Sequence, residues 1–310
     1  MRVMHATRLG GPEVLTAAEV PDPVPGPGEI LVNVEAAGIN FADIKRLEGA
    51  YLPPDLPFVP GSEVVGRTAD GKRVMAFASA AYASKAVVKN PVEIPEELGA
   101  GQALALLVQG LTAWHLLRTA ARMAPGESVV VNSAAGGVGT LAVQLAKEFG
   151  AGRVIGTASS DDKRALVLEL GADAAIDGEA AGYAERVTEA NGGRKADIVL
   201  DAVGGPVFDA ALGALAPFGR LITYGTSGSV APSAIDPGSL SAGNIAVMGY
   251  WLGGSIGLPG MLDPLGPLME MTLAGTLRPI VGGEYKLEDA RQALEDLAGR
   301  RTTGKLVLKP

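Results

Sequence analysis

Residues 127–147 read Glu-Ser-Val-Val-Val-Asn-Ser-Ala-Ala-Gly-Gly-Val-Gly-Thr-Leu-Ala-Val-Gln-Leu-Ala-Lys. The apolar run Ser128–Val131, a turn of small residues and an amphipathic stretch over 137–149 predict a strand, a tight turn and a helix. Ala134, Gly136 and Gly139 give A-x-G-x-x-G, a one-residue variant of the pattern in which small residues let the backbone reach a pyrophosphate at a helix N-terminus. In a chain with 43 glycines that pattern alone is weak. Its setting makes it specific, because a strand precedes it, a helix follows it and residues 153–158 predict a second strand. Ala134, Gly136, Gly137, Val138 and Gly139 are therefore the candidate pyrophosphate contacts.

Outward from this turn, strand and helix patterns alternate. Helices are expected over 161–170, 180–191 and 206–215, with strands over 174–176, 197–201 and 220–224. Such spacing predicts right-handed βαβ units, hence an α/β fold with a doubly wound parallel sheet covered on both faces. Residues 244–252 read as a further apolar strand, at the sheet edge.

An NAD-selective site carries an acid about 20 residues past the glycines, on the ribose 2′-hydroxyl. Here the second strand ends in Ala158, followed by Ser159, Ser160, Lys163 and Arg164. Serine and lysine at a helix start suit a 2′-phosphate, so NADPH is the expected cofactor, with Ser159 and Lys163 on that phosphate. The plain alternative makes Lys163 and Arg164 ordinary surface charges, and Asp161 and Asp162 can turn toward a ribose instead.

Composition bounds the rest. The net charge is −8, with no basic run, which argues against a nucleic-acid partner. With no cysteine, disulfides and thiolate zinc sites are excluded, and two histidines make any transition-metal site improbable. The N-terminus has no signal-like apolar core, and no apolar run reads as long enough to span a bilayer, so a cytoplasmic enzyme is expected.

Residues 1–98 show short β-like runs at 30–36, 63–67, 73–77 and 84–88, broken by Pro21, Pro23, Pro25 and Pro27. A strong helix over 101–121 follows, with Thr112 near its midpoint, and stops at Pro125-Gly126. Past residue 252, a helix over 261–275 interrupted by Pro264 and Pro267, an amphipathic helix over 287–299 and a closing strand Lys305–Lys309 have no place in a nucleotide-binding unit. They are expected to return to the first domain. That makes residues 110–252 an insertion between 1–109 and 253–310, with the reactive ring in a cleft between two lobes.

Six motifs, in order, carry a resemblance. Ala36-Ala37-Gly38-Ile39-Asn40-Phe41-Ala42-Asp43, Pro60-Gly61-Ser62-Glu63, Gln109-Gly110-Leu111-Thr112-Ala113, the 134–139 turn, Asp201-Ala202-Val203-Gly204-Gly205 and Gly304-Lys305-Leu306-Val307-Leu308 resemble the medium-chain dehydrogenase/reductase superfamily. The branch is similar to the zinc-free quinone oxidoreductases, of which zeta-crystallin is one. The resemblance covers essentially the whole chain. It implies a GroES-like β domain with an inserted Rossmann domain, NADPH, a small quinone or enone substrate, and a homodimer formed by edge-strand pairing. Zinc-dependent relatives have cysteine within the stretch held here by residues 37–43, and histidine where this chain has Ser62. The family's tyrosine five residues after the asparagine is replaced by Lys45, while Tyr51 is kept.

Hydride transfer needs donors aimed at the oxygen that gains charge. Asn40 can supply an amide, Lys45 a cation and Tyr51 a hydroxyl; their plain alternatives are a turn asparagine, a solvated lysine and a rim residue. Thr112, Tyr224-Gly225, Trp251-Leu252 and Lys305 are the further cofactor contacts suggested by the resemblance and by position, against helix, core, interface and strand-entry roles. Three functions remain open: reduction of quinones or other conjugated carbonyls, reduction of 2-alkenals or enoyl thioesters, and non-catalytic NADPH binding.

Overall fold

The computed structural model describes residues 1–50 and 54–310, and the chain divides into two compact units, 1–108 with 268–310 and 109–267. The second boundary differs from the expected 252/253. Residues 253–267 stay with the nucleotide unit because Met261 and Leu265 are buried, and the Met261 carbonyl lies 3.0 Å from His115 Nε2.

In unit 109–267 a six-stranded parallel sheet has Ser128–Val131 near its centre. Arg153–Thr157 and Ala174–Ile176 lie to one side; Ala196–Asp201, Leu215–Thr223 and Ala246–Gly249 lie to the other. The chain reverses direction across the sheet beside Ser128–Val131, and in open α/β sheets ligands bind outside the carboxyl ends of the strands at such a point. The central strands are apolar on both faces, as a doubly covered sheet requires: Val129, Val130, Val131, Ile155, Val199 and Leu200 are inaccessible. The expected strand over 244–252 is only Ala246–Gly249. Asn244 adopts a left-handed conformation that ends the helix Pro237–Gly243, and Trp251 caps the next short helix, Leu252–Ser255. Residue 215 belongs to a strand rather than to the preceding helix.

In unit 1–108 with 268–310, the strands Glu29–Ile39, Glu63–Thr68, Arg73–Phe77 and Lys85–Lys89 form a mostly antiparallel sheet, with a separate hairpin of Arg2–Ala6 and Leu15–Glu19. The closing strand Lys305–Lys309 returns here, pairing Leu306 with Ile39 and Leu308 with Ala37. Beside it runs Val281–Lys286, a strand hidden in the sequence by Gly282-Gly283 and by a register shift at that point. The helix over 261–275 shortens to Leu265–Leu273: Pro264 precedes it and Pro267 sits in its first turn, where no intrahelical N–H is lost. The helix Ala100–Ala120 corrects the reading that no run is long enough to span a bilayer. It has 21 residues at a mean hydropathy of 1.2, and its apolar window is 83% buried, as in a core helix.

Helix Phe41–Leu47, absent from the sequence reading, starts at Asn40. Asp43 accepts from the Asn40 backbone N–H at 2.8 Å and from the Tyr82 hydroxyl at 3.0 Å on the same oxygen. Desolvation pushes the Asp43 carboxyl up to about 6 against these bonds, and the nearby Glu63 adds to the rise. A folded value above the unfolded 3.8 means that its contribution to stability is complete below pH ~4 and is lost as pH rises through 6. Asp43→Asn keeps an acceptor and removes the titration. We expect its stability relative to the parent chain to improve by roughly 3 kcal/mol between pH 4 and 7, from two pKa units at about 1.4 kcal/mol each. Urea unfolding of both proteins across that range checks this; a constant difference refutes it.

Candidate functional site

The turn after Ser128–Val131 is shaped by contact. A Cβ on Gly139 would lie 2.4 Å from the Ser133 carbonyl oxygen and 2.7 Å from Ala134 Cα, so only glycine lets helix Gly137–Glu148 sit this close to the strand end. Ser133 turns the chain with φ +56° and Ala134 is inaccessible. The first i→i−4 bond of the helix runs from Thr140 N to the Gly136 carbonyl, which leaves the N–H groups of Gly137, Val138 and Gly139 without intrahelical acceptors. Gly136, Gly137 and Val138 are half-buried, and a Cβ on Gly137 would lie within 2.4 Å of three atoms of the Gln109 carboxamide. Gln109 Oε1 is buried and has no partner among the described residues. A glycine-lined helix start beside an orphaned acceptor fits a dinucleotide pyrophosphate and its neighbouring donors.

Beneath the turn lies a network that the sequence reading missed. The buried Asn132 donates from Nδ2 to Asp201 Oδ1 at 2.9 Å, and its Oδ1 accepts from Thr157 Oγ1 at 3.2 Å and from the Tyr183 hydroxyl at 2.7 Å. One carboxamide thereby ties together the carboxyl ends of three strands. Asp201 also accepts from Val203 N and Gly204 N, which makes it a turn residue, and desolvation raises its carboxyl above the ordinary aspartate value. The asparagine side chain gives no sequence signal, because its three partners lie 25 to 69 residues away.

Most of the other predicted residues of this unit follow the carboxyl ends of the sheet strands. Ser159 is exposed after Arg153–Thr157, and Ser160 caps helix Asp161–Glu169 with its hydroxyl toward Lys163 N. Arg164 donates to the Ala158 carbonyl at 2.9 Å and to Asp161 at 2.5 Å, so the nearer acid faces a guanidinium. Tyr224-Gly225 follow Leu215–Thr223, with Tyr224 N bonded to the Asp201 carbonyl; burial, then Asp201, raises the Tyr224 phenol. Trp251 is exposed and Leu252 buried, beyond Ala246–Gly249. Thr112 is buried in Leu111–His115. His115 is held at both nitrogens, by Thr119 Oγ1 at 2.9 Å and by the Met261 carbonyl, as a packed structural histidine.

In the other unit, Asn40, Glu63 and Lys305 meet. Lys305 Nζ, fully enclosed, donates to Asn40 Oδ1 at 3.0 Å, to the Ile39 carbonyl at 3.2 Å and to Glu63. Its three hydrogens are thus spent on the protein, a role different from the cofactor contact that the resemblance suggested. Asn40 Nδ2 donates to Glu63 Oε1 at 2.7 Å, and the second hydrogen of that amide has no acceptor among the described residues. Lys45 lies on helix Phe41–Leu47, not in a loop; its mostly buried ammonium is 2.8 Å from Glu48 and 5.6 Å from the centre of the Phe41 ring. Tyr51 lies outside the described residues.

Residues 26–89 match the alcohol dehydrogenase GroES-like domain and residues 137–266 the zinc-binding dehydrogenase family. The quinone oxidoreductase of Pseudomonas aeruginosa is 36% identical, with 97% of each chain covered. Among solved structures, the Escherichia coli quinone oxidoreductase complexed with NADPH superposes with a TM-score of 0.93 at 32% identity, and the Thermus thermophilus quinone oxidoreductase, also solved with NADPH, with 0.89 at 37%; both cover all of each chain. Likeness of this extent, over both units, places the chain in the quinone oxidoreductase family of the medium-chain dehydrogenase/reductase superfamily.

Proposed function

We propose that the chain is an NADPH-dependent reductase of quinones or related conjugated carbonyl compounds, working by hydride transfer without zinc. The observation that carries the reading is the Gly139 contact, which brings a helix N-terminus to the carboxyl edge of the sheet with its N–H groups directed outward. Relatives named quinone oxidoreductases and neighbours solved with NADPH support the same cofactor and substrate class. The reduced nicotinamide supplies the hydride when bound. The chain's own residues hold and orient. Gly137, Val138 and Gly139 present backbone donors to the pyrophosphate, and Ser159 and Lys163 meet the 2′-phosphate beside Asp161, whose carboxylate is engaged by Arg164. Asn40 offers its remaining N–H to the oxygen that gains charge, and solvent supplies the last proton.

Zinc independence rests on the side chains. The chain has no cysteine, and residues 61–63 read Gly-Ser-Glu, with serine where the zinc-dependent branch it resembles has histidine. We also infer a homodimer. Ala246–Gly249 ends the sheet with one edge unpaired among the described residues, and Met248, Trp251 and Phe218 are exposed near or on the last two strands. Bare apolar edges invite pairing, and a two-fold partner satisfies them.

Oxidation of NADPH and of NADH against a panel of quinones and enones tests the activity. NADPH is expected to bind at least about tenfold more tightly than NADH, and Lys163→Ala to narrow the gap by about 1–2 kcal/mol. Equal dissociation constants would remove the cofactor assignment. Asn40→Ala is expected to lower turnover about tenfold or more, whereas Lys45→Met, whose charge Glu48 already offsets, should stay within about threefold. The opposite order would shift the electrostatic role to the lysine. Light scattering at micromolar concentration should give twice the 31.4 kDa of the chain, and a strict monomer counts against the dimer.

A further inference from the structure

Lys305 and Glu63 form an ion pair from which solvent is wholly excluded. Taking both ions out of water costs several kcal/mol each, and apolar residues of similar volume commonly serve stability as well or better. Stability alone therefore gives a weak reason for the pair. Its surroundings give a stronger one, since Lys305 Nζ and Glu63 Oε1 are both directed at the start of helix Phe41–Leu47, with Glu63 Oε2 anchored on Val108 N.

The Asn40 carboxamide is gripped from both ends. Its oxygen accepts from the Lys305 ammonium at 3.0 Å, and its nitrogen donates to Glu63 Oε1 at 2.7 Å. A flipped amide would set NH₂ against an ammonium and oxygen against a carboxylate, so the charges fix which end is which. The grip is itself fixed. Glu63 Oε2 accepts from Val108 N at 3.2 Å, Lys305 also donates to the Ile39 carbonyl at 3.2 Å, and Gly38 leaves the room that the Glu63 side chain fills. An ammonium on the amide oxygen also polarises the amide, which strengthens its remaining N–H as a donor.

We propose that Lys305 and Glu63 are positioning residues for the proposed reduction: they lock and polarise the Asn40 carboxamide so that one N–H stays directed at the substrate oxygen. This rests on the reading of Asn40 as that donor. Lys305 thus acts on the reaction through Asn40, from inside its own unit.

A double-mutant cycle tests it. Asn40→Ala, Glu63→Gln and the combined variant are compared for kcat and KM with 1,4-benzoquinone, for the NADPH dissociation constant by cofactor fluorescence, and for melting temperature. Each single change should lower kcat about tenfold while leaving the NADPH constant within about threefold. Adding Glu63→Gln to Asn40→Ala should then change kcat by less than about twofold, because the group that Glu63 positions is gone. A purely structural pair would lower the melting temperature and reduce kcat equally with and without Asn40, so losses that multiply overturn the inference. Full turnover in Asn40→Ala overturns the donor reading itself, whereas a crippled Asn40→Ala beside a fully active Glu63→Gln overturns only the positioning role. If Glu63→Gln does not fold, Lys305→Met/Glu63→Gln, which removes both charges together, takes its place under the same criteria.

Discussion

A close backbone approach in the nucleotide-binding unit, between Gly139 and the Ser133-Ala134 segment, sets how that unit works. Had residue 139 a side chain, helix Gly137–Glu148 would have to move off the strand end by about 1 Å to turn a 2.4 Å separation into an ordinary contact. Its N-terminal N–H groups would then be displaced from the carboxyl edge where Asn132, Thr157 and Asp201 are bonded together. The dinucleotide site is thus a packing result first and an electrostatic one second. The partial positive charge of the helix start is useful only because a missing Cβ delivers it to the right edge.

Much of this was legible in the sequence because it depends on local pattern. Strands Ser128–Val131 and Ala174–Ile176, and the closing strand Lys305–Lys309, fall where alternation and apolar runs put them. What escaped depends on distant partners or on conformations that pattern does not encode. Val281–Lys286 is a strand only because Lys305–Lys309 lies beside it, and its two glycines argue locally against one. The helix at Phe41–Leu47 was signalled by Asn40 three residues before Asp43, but its shortness hid it and left Lys45 without an assigned element. The edge strand was overestimated because apolar residues continue past Gly249 into a short helix.

The candidate site divides in the same way. The turn glycines, whose work is steric and local, could be named from spacing. Glu63 appeared only as part of a motif, and its task became visible once Lys305, 242 residues away, was seen to share its oxygen with Asn40. Buried polar groups have to be satisfied, but which group satisfies which is settled by the fold.

Gly38 carries a consequence for descent. A Cβ there would lie 2.4 Å from Glu63 Oε1 and 2.7 Å from both Cγ and Cδ, and Glu63 has no freedom to retreat, being bonded to Asn40, Lys305 and Val108 N. Residues 38 and 63 are therefore a single heritable choice, although 25 positions separate them in the chain. A descendant that puts a side chain at 38 has to surrender the carboxylate, and with it the reason for a lysine at 305. Substitution at these three positions is expected to be concerted, so that chains of this type either keep the whole arrangement or abandon it together.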